Sequence, residues 1–247
     1  FGSSPKTIMV DNTVERNYSD AEYTEKSLQQ YVEKVLQLES VACKDWLTNK
    51  VDRSVTGRVA RQQCQGEIQL PVSDCGVVAM DYTGRSGIAT SIGHAPQIAL
   101  ADSAKGSVMA IAEALTNIVG APLADGLKSV SLSANWMWPC KNQGEDAALY
   151  RAVEACSRFA IDLGINIPTG KDSLSMTQKY GDRKVFAPGT VIISAAGETK
   201  DVRSVVSPVM VRRAKSQIYY IDFSSDALRL GGSALPQTLN AVGSDVP

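Results

Sequence analysis

The chain has 247 residues, with Lys+Arg 25 against Asp+Glu 26, 44% hydrophobic residues and a net charge of −1. Domains run on the order of 100–200 residues, so one large domain, or one plus part of another, is expected, with enough apolar content to bury a core. The balanced charge lacks the clustered basic face of a nucleic-acid binder, and no apolar run approaches the roughly 20 residues that span a bilayer; neither partner is expected.

The start, Phe1-Gly2-Ser3-Ser4-Pro5, has no initiator Met and no apolar signal region, and reads as a cloning scar on a piece of something longer. Residues 1–23 are polar and aperiodic, as in a linker or arm. From Thr24, a plausible N-cap, Leu28, Tyr31, Val32, Val35 and Leu36 follow the spacing of an amphipathic helix, and a shorter helix is expected over 41–47. Short β-rich runs come next at 67–70, 76–81 and 87–92. A long helix covers 103–119, closed by Gly120 and Pro122, and a strand follows at 130–133. A second helix covers 145–163, with acids in its first turn, Gly164 as its stop and an apolar stripe of Leu149, Val153, Cys156, Ala160 and Leu163. Further strands are expected at 165–167, 173–176, 191–195 and 218–223, and a turn-prone boundary falls between Pro208 and Ser216. These elements divide the chain into an arm 1–23, a helical lead-in 24–50, a main domain 51–206 and the truncated opening of a second unit 207–247, an order compatible with an α+β fold without by itself naming one.

Five cysteines without a C-x-x-C pair read as free thiols of a cytoplasmic protein, and the single histidine, His94, leaves little room for a Ser-His-Asp triad or a His-rich metal site. On the helix over 103–119, Ala104, Val108, Ile111, Leu115 and Ile118 share one arc, expected to be the core face. Gly106, Ala110, Glu113 and Asn117 share the opposite one, where the two small residues leave space for something bulky. Glu113 and Asn117 are one turn apart and offer hard oxygen donors of the type Mg²⁺ takes beside phosphates; a solvated polar face has the same spacing. Ser73-Asp74 precedes an apolar strand, either reaching a site or capping a turn. Gly170-Lys171-Asp172-Ser173 resembles the end of a phosphate loop, but Ile165 stands where a P-loop needs glycine, leaving a phosphate-binding turn or a plain polar one. Trp136 and Trp138 read as core or as pocket walls.

These strings occur together and in order: Asp52-Arg53-Ser54-Val55-Thr56-Gly57, Val72-Ser73-Asp74-Cys75, Glu113-Ala114-Leu115-Thr116-Asn117, Leu132-Ser133-Ala134-Asn135-Trp136-Met137, Gly144-Glu145-Asp146 and Gly170-Lys171-Asp172-Ser173-Leu174-Ser175-Met176. The series, from about Val32 to about Gly232, resembles the phosphoribosylformylglycinamidine synthase family of purine biosynthesis. The resemblance implies a fragment of the second of two aminoimidazole ribonucleotide synthetase-like halves: the N-terminal half-barrel with flanking helices, then the start of its α/β partner domain.

The activity it implies for the parent is ATP- and glutamine-dependent conversion of formylglycinamide ribonucleotide to its amidine, a C–N ligation. ATP or ADP and Mg²⁺ are the implied cofactors, with Asp74, Glu113 and Asn117 as metal ligands. Ser73, Lys171, Asp172 and Ser173 are the implied nucleotide, phosphate or substrate contacts. A further acidic ligand, the first synthetase-like half, the C-terminal domain and the glutaminase domain are expected elsewhere in the parent, so the fragment is expected to be inactive. It is expected to pair with itself through an apolar half-barrel face. The alternatives are a structural nucleotide-binding module and another ATP-using enzyme of the same superfold; the Leu-Ser-Ala-Asn-Trp-Met and Gly-Lys-Asp-Ser-Leu-Ser-Met strings disfavour the latter.

Overall fold

A strand with one face against helices and the other open alternates buried and exposed side chains. Gly87–His94 does so over its whole length, and so does most of Thr190–Thr199. The computed structural model describes residues 14, 16–48, 57–212, 215–224 and 228–247. In chain order, α1 is Leu28–Leu36 and α2 is Asp45–Thr48, followed by β1 Val59–Arg61, β2 Cys64–Gln65, β3 Leu70–Pro71, β4 Cys75–Ala79 and β5 Gly87–His94. Helices α3 Pro96–Ala101 and α4 Ser103–Ile118 precede β6 Ala124–Leu127 and β7 Val130–Met137. Helix α5 Glu145–Leu163 leads to β8 Asn166–Ser173, β9 Thr177–Tyr180, β10 Arg183–Phe186 and β11 Thr190–Thr199, and α6 Ala234–Thr238 comes last.

Six strands form one sheet in the order β1-β4-β5-β11-β7-β8, antiparallel throughout except for β7 and β8, which α5 connects in parallel. Helices α4 and α5 cover one face. Ala89, Leu132, Ile193 and Ala195 of the sheet pack there against Ala110, Ile111, Ala114 and Ile118 of α4 and Cys156 and Ala160 of α5. The other face carries Thr90, Ile92, His94, Ser194, Ala196 and Glu198, all exposed. Four of these six are polar, where an apolar face was expected.

Helix α4 is rotated relative to the arc drawn from hydrophobicity. Its buried residues are Ser103, Gly106, Ser107, Ala110, Ile111, Ala114 and Ile118, while Ala104, Val108 and Leu115 are only half-buried. Packing is the cause. A Cβ at Gly106 would lie 2.6 Å from Ala99 Cβ, so the small residues admit α3 rather than a ligand. Ser103 Oγ donates to Ala148 O at 2.9 Å and Ser107 Oγ to Ala152 O at 2.8 Å, which satisfies the buried hydroxyls and lets polar residues face α5. On α5 the same contact buries Ala148 and Ala152 and leaves Val153 exposed. The bounds of α5 match the expectation, and Gly164 closes it in the left-handed region, φ 68°.

Elsewhere the expected elements shift. The first helix begins at Leu28 after a 3-10 turn, without a side-chain cap from Thr24, and buries none of its residues. The helix expected over 41–47 reduces to α2. Residues 66–69 are the turn between β2 and β3, not a strand. A single strand, β8, takes up 166–173, and 174–176 are irregular. No strand forms over 218–223, whose Ile218 and Tyr220 are 84% and 87% exposed. Trp138 is buried in the core. The described lead segment docks on the body: Arg16 pairs with buried Glu145, and Ser244 N donates to Asp20 Oδ1 at 2.9 Å. All five cysteines are unpaired. Among the described residues no helix is long and apolar enough to cross a membrane.

Candidate functional site

Helix α4 and the end of β5 meet in a register that explains the Glu-x-x-x-Asn spacing. Four helical residues rise about 6 Å and two strand residues about 6.6 Å, so side chains at i and i+4 can each reach alternate peptide groups of a neighbouring strand. Glu113 Oε2 accepts from His94 N–H at 2.5 Å, and Asn117 Nδ2 donates to Ile92 O at 2.9 Å. These bonds fix the two side chains and leave Glu113 Oε1 and Asn117 Oδ1 without a hydrogen-bond partner among the described residues. The asparagine is thereby oriented with its amide oxygen as the remaining donor atom. His94 Nδ1 lies 3.7 Å from Glu113 Oε2, so the single histidine supports the carboxylate mainly through its backbone.

Beside Asn117 lies a cleft of about 190 Å³, lined by Arg61, Ser73, Asp74, Cys75, Thr116 and Asn117 among others. Asp74 immediately precedes β4 and is exposed; Ser73 N donates to Gln63 O at 3.1 Å, while Ser73 Oγ is buried without a partner. Burial pushes the Cys75 thiol above its ordinary value, opposed by the Arg61 guanidinium, so it stays a neutral wall of the cleft. A second, more apolar cavity of about 540 Å³ lies on the other side of Thr116, lined by His94, Ile98, Met109, Glu113 and Phe223 among others. The structure thus brings Ser73, Asp74 and Asn117 to one cleft, with Glu113 one helical turn away on the adjoining cavity.

Carboxylate and amide oxygens, two of them on side chains held through their other polar atom, suit a hard cation such as Mg²⁺. Among the described residues no group of three or more His, Cys, Asp or Glu converges, so a metal here depends on the asparagine and on oxygen atoms from a ligand. Asp52 to Thr56 of the first string lie outside the described residues.

Lys171, Asp172 and Ser173 are not part of this cleft. They form the end of β8 at the sheet edge, in parallel register with Asn135, Trp136 and Met137. Gly170 is a strand residue, not a turn: its ideal Cβ would lie 2.1 Å from Ala134 O, so glycine is needed for strand approach rather than for cradling a phosphate. Across the sheet His94 opposes Ile192, Ile192 opposes Asn135 and Asn135 opposes Lys171. The lysine is thus at the same end of the sheet but three strand spacings from β5, about 14–15 Å. Arg61 is the cleft residue that sequence reasoning missed; it belongs to no motif, and only the pairing of β1 with β4 brings it there.

The match to a family model, FGAR-AT PurM_N-like domain, covers residues 43–198. The chain is 43% identical over 222 residues to phosphoribosylformylglycinamidine synthase of Homo sapiens, covering 90% of the chain and 16% of that protein. It is 44% identical over 218 residues to the probable phosphoribosylformylglycinamidine synthase of Caenorhabditis elegans, covering 87% of the chain and again 16% of the relative. The chain therefore spans about a sixth of these relatives. The PurLQS structure from Thermotoga maritima superposes with a TM-score of 0.51 at 15% identity, over 68% of this chain and 25% of that one, a likeness of fold.

Proposed function

The chain belongs to the FGAR-AT PurM_N-like domain family, and from that premise we propose that it is the metal–nucleotide-holding part of a phosphoribosylformylglycinamidine synthase. In this reading the parent is a purine-biosynthetic ligase that uses ATP and glutamine. ATP phosphorylates the amide oxygen of formylglycinamide ribonucleotide, and ammonia from a glutaminase domain displaces the phosphate to form the amidine. Phosphoryl transfer of this kind rests on positioning and charge neutralisation more than on a strong protein nucleophile. The first synthetase-like half, the C-terminal domain and the glutaminase domain belong to the rest of the enzyme. The isolated chain binds nucleotide without turning over, pairs with a second copy, and works in the cytoplasm.

The observation that supports the reading is the double anchoring of Glu113 on His94 N–H and Asn117 on Ile92 O, which leaves each side chain a second, unpaired oxygen, that of Asn117 on the Asp74 cleft and that of Glu113 on the adjoining cavity. Asp74, Glu113 and Asn117 hold Mg²⁺, and Ser73 meets the phosphates. When bound, the metal neutralises phosphate charge. Lys171, Asp172 and Ser173 form a separate phosphate or substrate contact at the same end of the sheet.

Calorimetric titration of ADP with Mg²⁺ into the chain, wild type beside Glu113→Ala, tests this. Loss of a group that merely supports a metal ligand costs up to about 100-fold in affinity, and loss of the ligand itself should cost at least that. Equal binding by both proteins, or none by the wild type, overturns the assignment.

A further inference from the structure

We propose that Arg61 contacts a phosphate of the bound nucleotide from the wall of the cleft that also holds Asp74 and Asn117, a role that rests on the nucleotide reading above. Arg61 ends β1 and is half-buried. Its Nη1 donates to Gln65 Oε1 at 2.7 Å and its Nη2 to Val205 O at 2.9 Å, so two neutral acceptors hold the guanidinium in place. Among the described residues no carboxylate comes within ion-pair distance, and Nε is buried with no acceptor. A half-buried guanidinium that is fixed but has no counter-ion is costly unless an anion completes it.

The second orphan in the same cleft is Ser73 Oγ, also buried and unpartnered. A positive fork and a hydroxyl on a cleft that also carries Asp74 and Asn117 are complementary to a metal-bound phosphate. Asp74 and Asn117 would offer oxygens to the metal, and Arg61 and Ser73 would offer donors to the phosphate. Fork geometry and fixed charge are what make arginine a phosphate ligand. The competing role is a clamp alone, tying β1 to the 205 segment, and the two roles differ in what they do to charge-dependent binding.

The test is titration of ADP and AMP with Mg²⁺ into the wild-type chain, Arg61→Gln, Arg61→Lys and Glu113→Ala at low and moderate salt, with thermal midpoints recorded. Charge-assisted hydrogen bonds predict that Arg61→Gln weakens ADP binding by about 10- to 100-fold and flattens its salt dependence. Arg61→Lys, which keeps charge without the fork, should lose less affinity and retain the slope. A lowered midpoint in Arg61→Gln with ADP affinity and salt slope unchanged overturns the phosphate role and leaves the clamp. If Glu113→Ala loses ADP and Arg61→Gln does not, only this inference falls; a wild type that ignores ADP sinks both readings.

Discussion

The seam between α4 and β5 and the edge strand β8 carry equally conspicuous strings, Glu113 to Asn117 and Gly170 to Met176, yet the fold treats them differently. On α4 the motif's side chains are free to leave the helix, and the neighbouring strand orients them by hydrogen bonds to its backbone. On β8 the glycine is consumed by strand pairing with Ala134. A string that looks like a phosphate loop can therefore owe its glycine to packing. A string that looks like an ordinary polar helix face can instead have its side chains positioned by a neighbouring strand. What separates them is the element each sits on and what lies across from it.

Gly170→Val is the sharpest way to break the comparison. Its side chain must displace the Ala134 carbonyl, and overpacking of this kind costs about 1–3 kcal/mol, with backbone displacement at the upper end. Denaturant unfolding should show that loss, while calorimetry shows unchanged Mg²⁺–ADP affinity at temperatures where the variant is folded. A large loss of affinity without loss of stability would mean that Gly170 belongs to the nucleotide site after all.

Much of this arrangement was legible in the residues. The bounds of α5 and the span of α4 follow from periodicity, because long amphipathic segments advertise their buried side, while the β-rich runs at 87–92 and 191–195 mark β5 and β11 but fall short of their full length. The rotation of α4 did not, since Gly106, Ala110, Ser103 and Ser107 score as weakly hydrophobic or polar while small size and local hydroxyl bonds suit them to helix contacts. The 218–223 run shows the converse error. Its β-branched and aromatic residues predict a strand, but a strand needs a partner, and among the described residues this run pairs with none of the strands. Of the candidate site, the residue types were readable, while the grouping of Asp74, Glu113 and Asn117 was implied by resemblance alone: nothing local says that Ser73 and Asp74 line a cleft with Asn117, or that Lys171 lies three strands away.

A subtler probe is Asn117→Asp. It removes the amide donor to Ile92 O and sets a carboxylate oxygen against that carbonyl, so without metal the variant should be less stable by about 1–3 kcal/mol, the cost of an unsatisfied polar pair. With Mg²⁺ the added negative charge should favour the ion. The thermal midpoint should therefore rise more on adding Mg²⁺ in the variant than in the wild type. An equal or smaller rise would mean that the residue at 117 is a structural bridge to β5 and no metal donor.

The smallest expected effect separates the two regions most cleanly. Lys171 lies about 14–15 Å from β5 by strand spacing, beyond the Debye length of about 8 Å at physiological ionic strength, and it is exposed. Lys171→Ala should therefore change Mg²⁺–ADP affinity in the isolated chain by less than about two-fold at that ionic strength, where screening leaves little of so distant a charge. The same substitution in the whole enzyme is free to do more, because its partner would be a different group at the sheet edge. A ten-fold loss in the isolated chain would require the lysine to reach the α4 cleft directly. Since β8 is pinned by Gly170 against Ala134 and by Trp138 N–H donating to Ser173 O at 2.9 Å, that would need the edge of the sheet to rearrange when nucleotide binds.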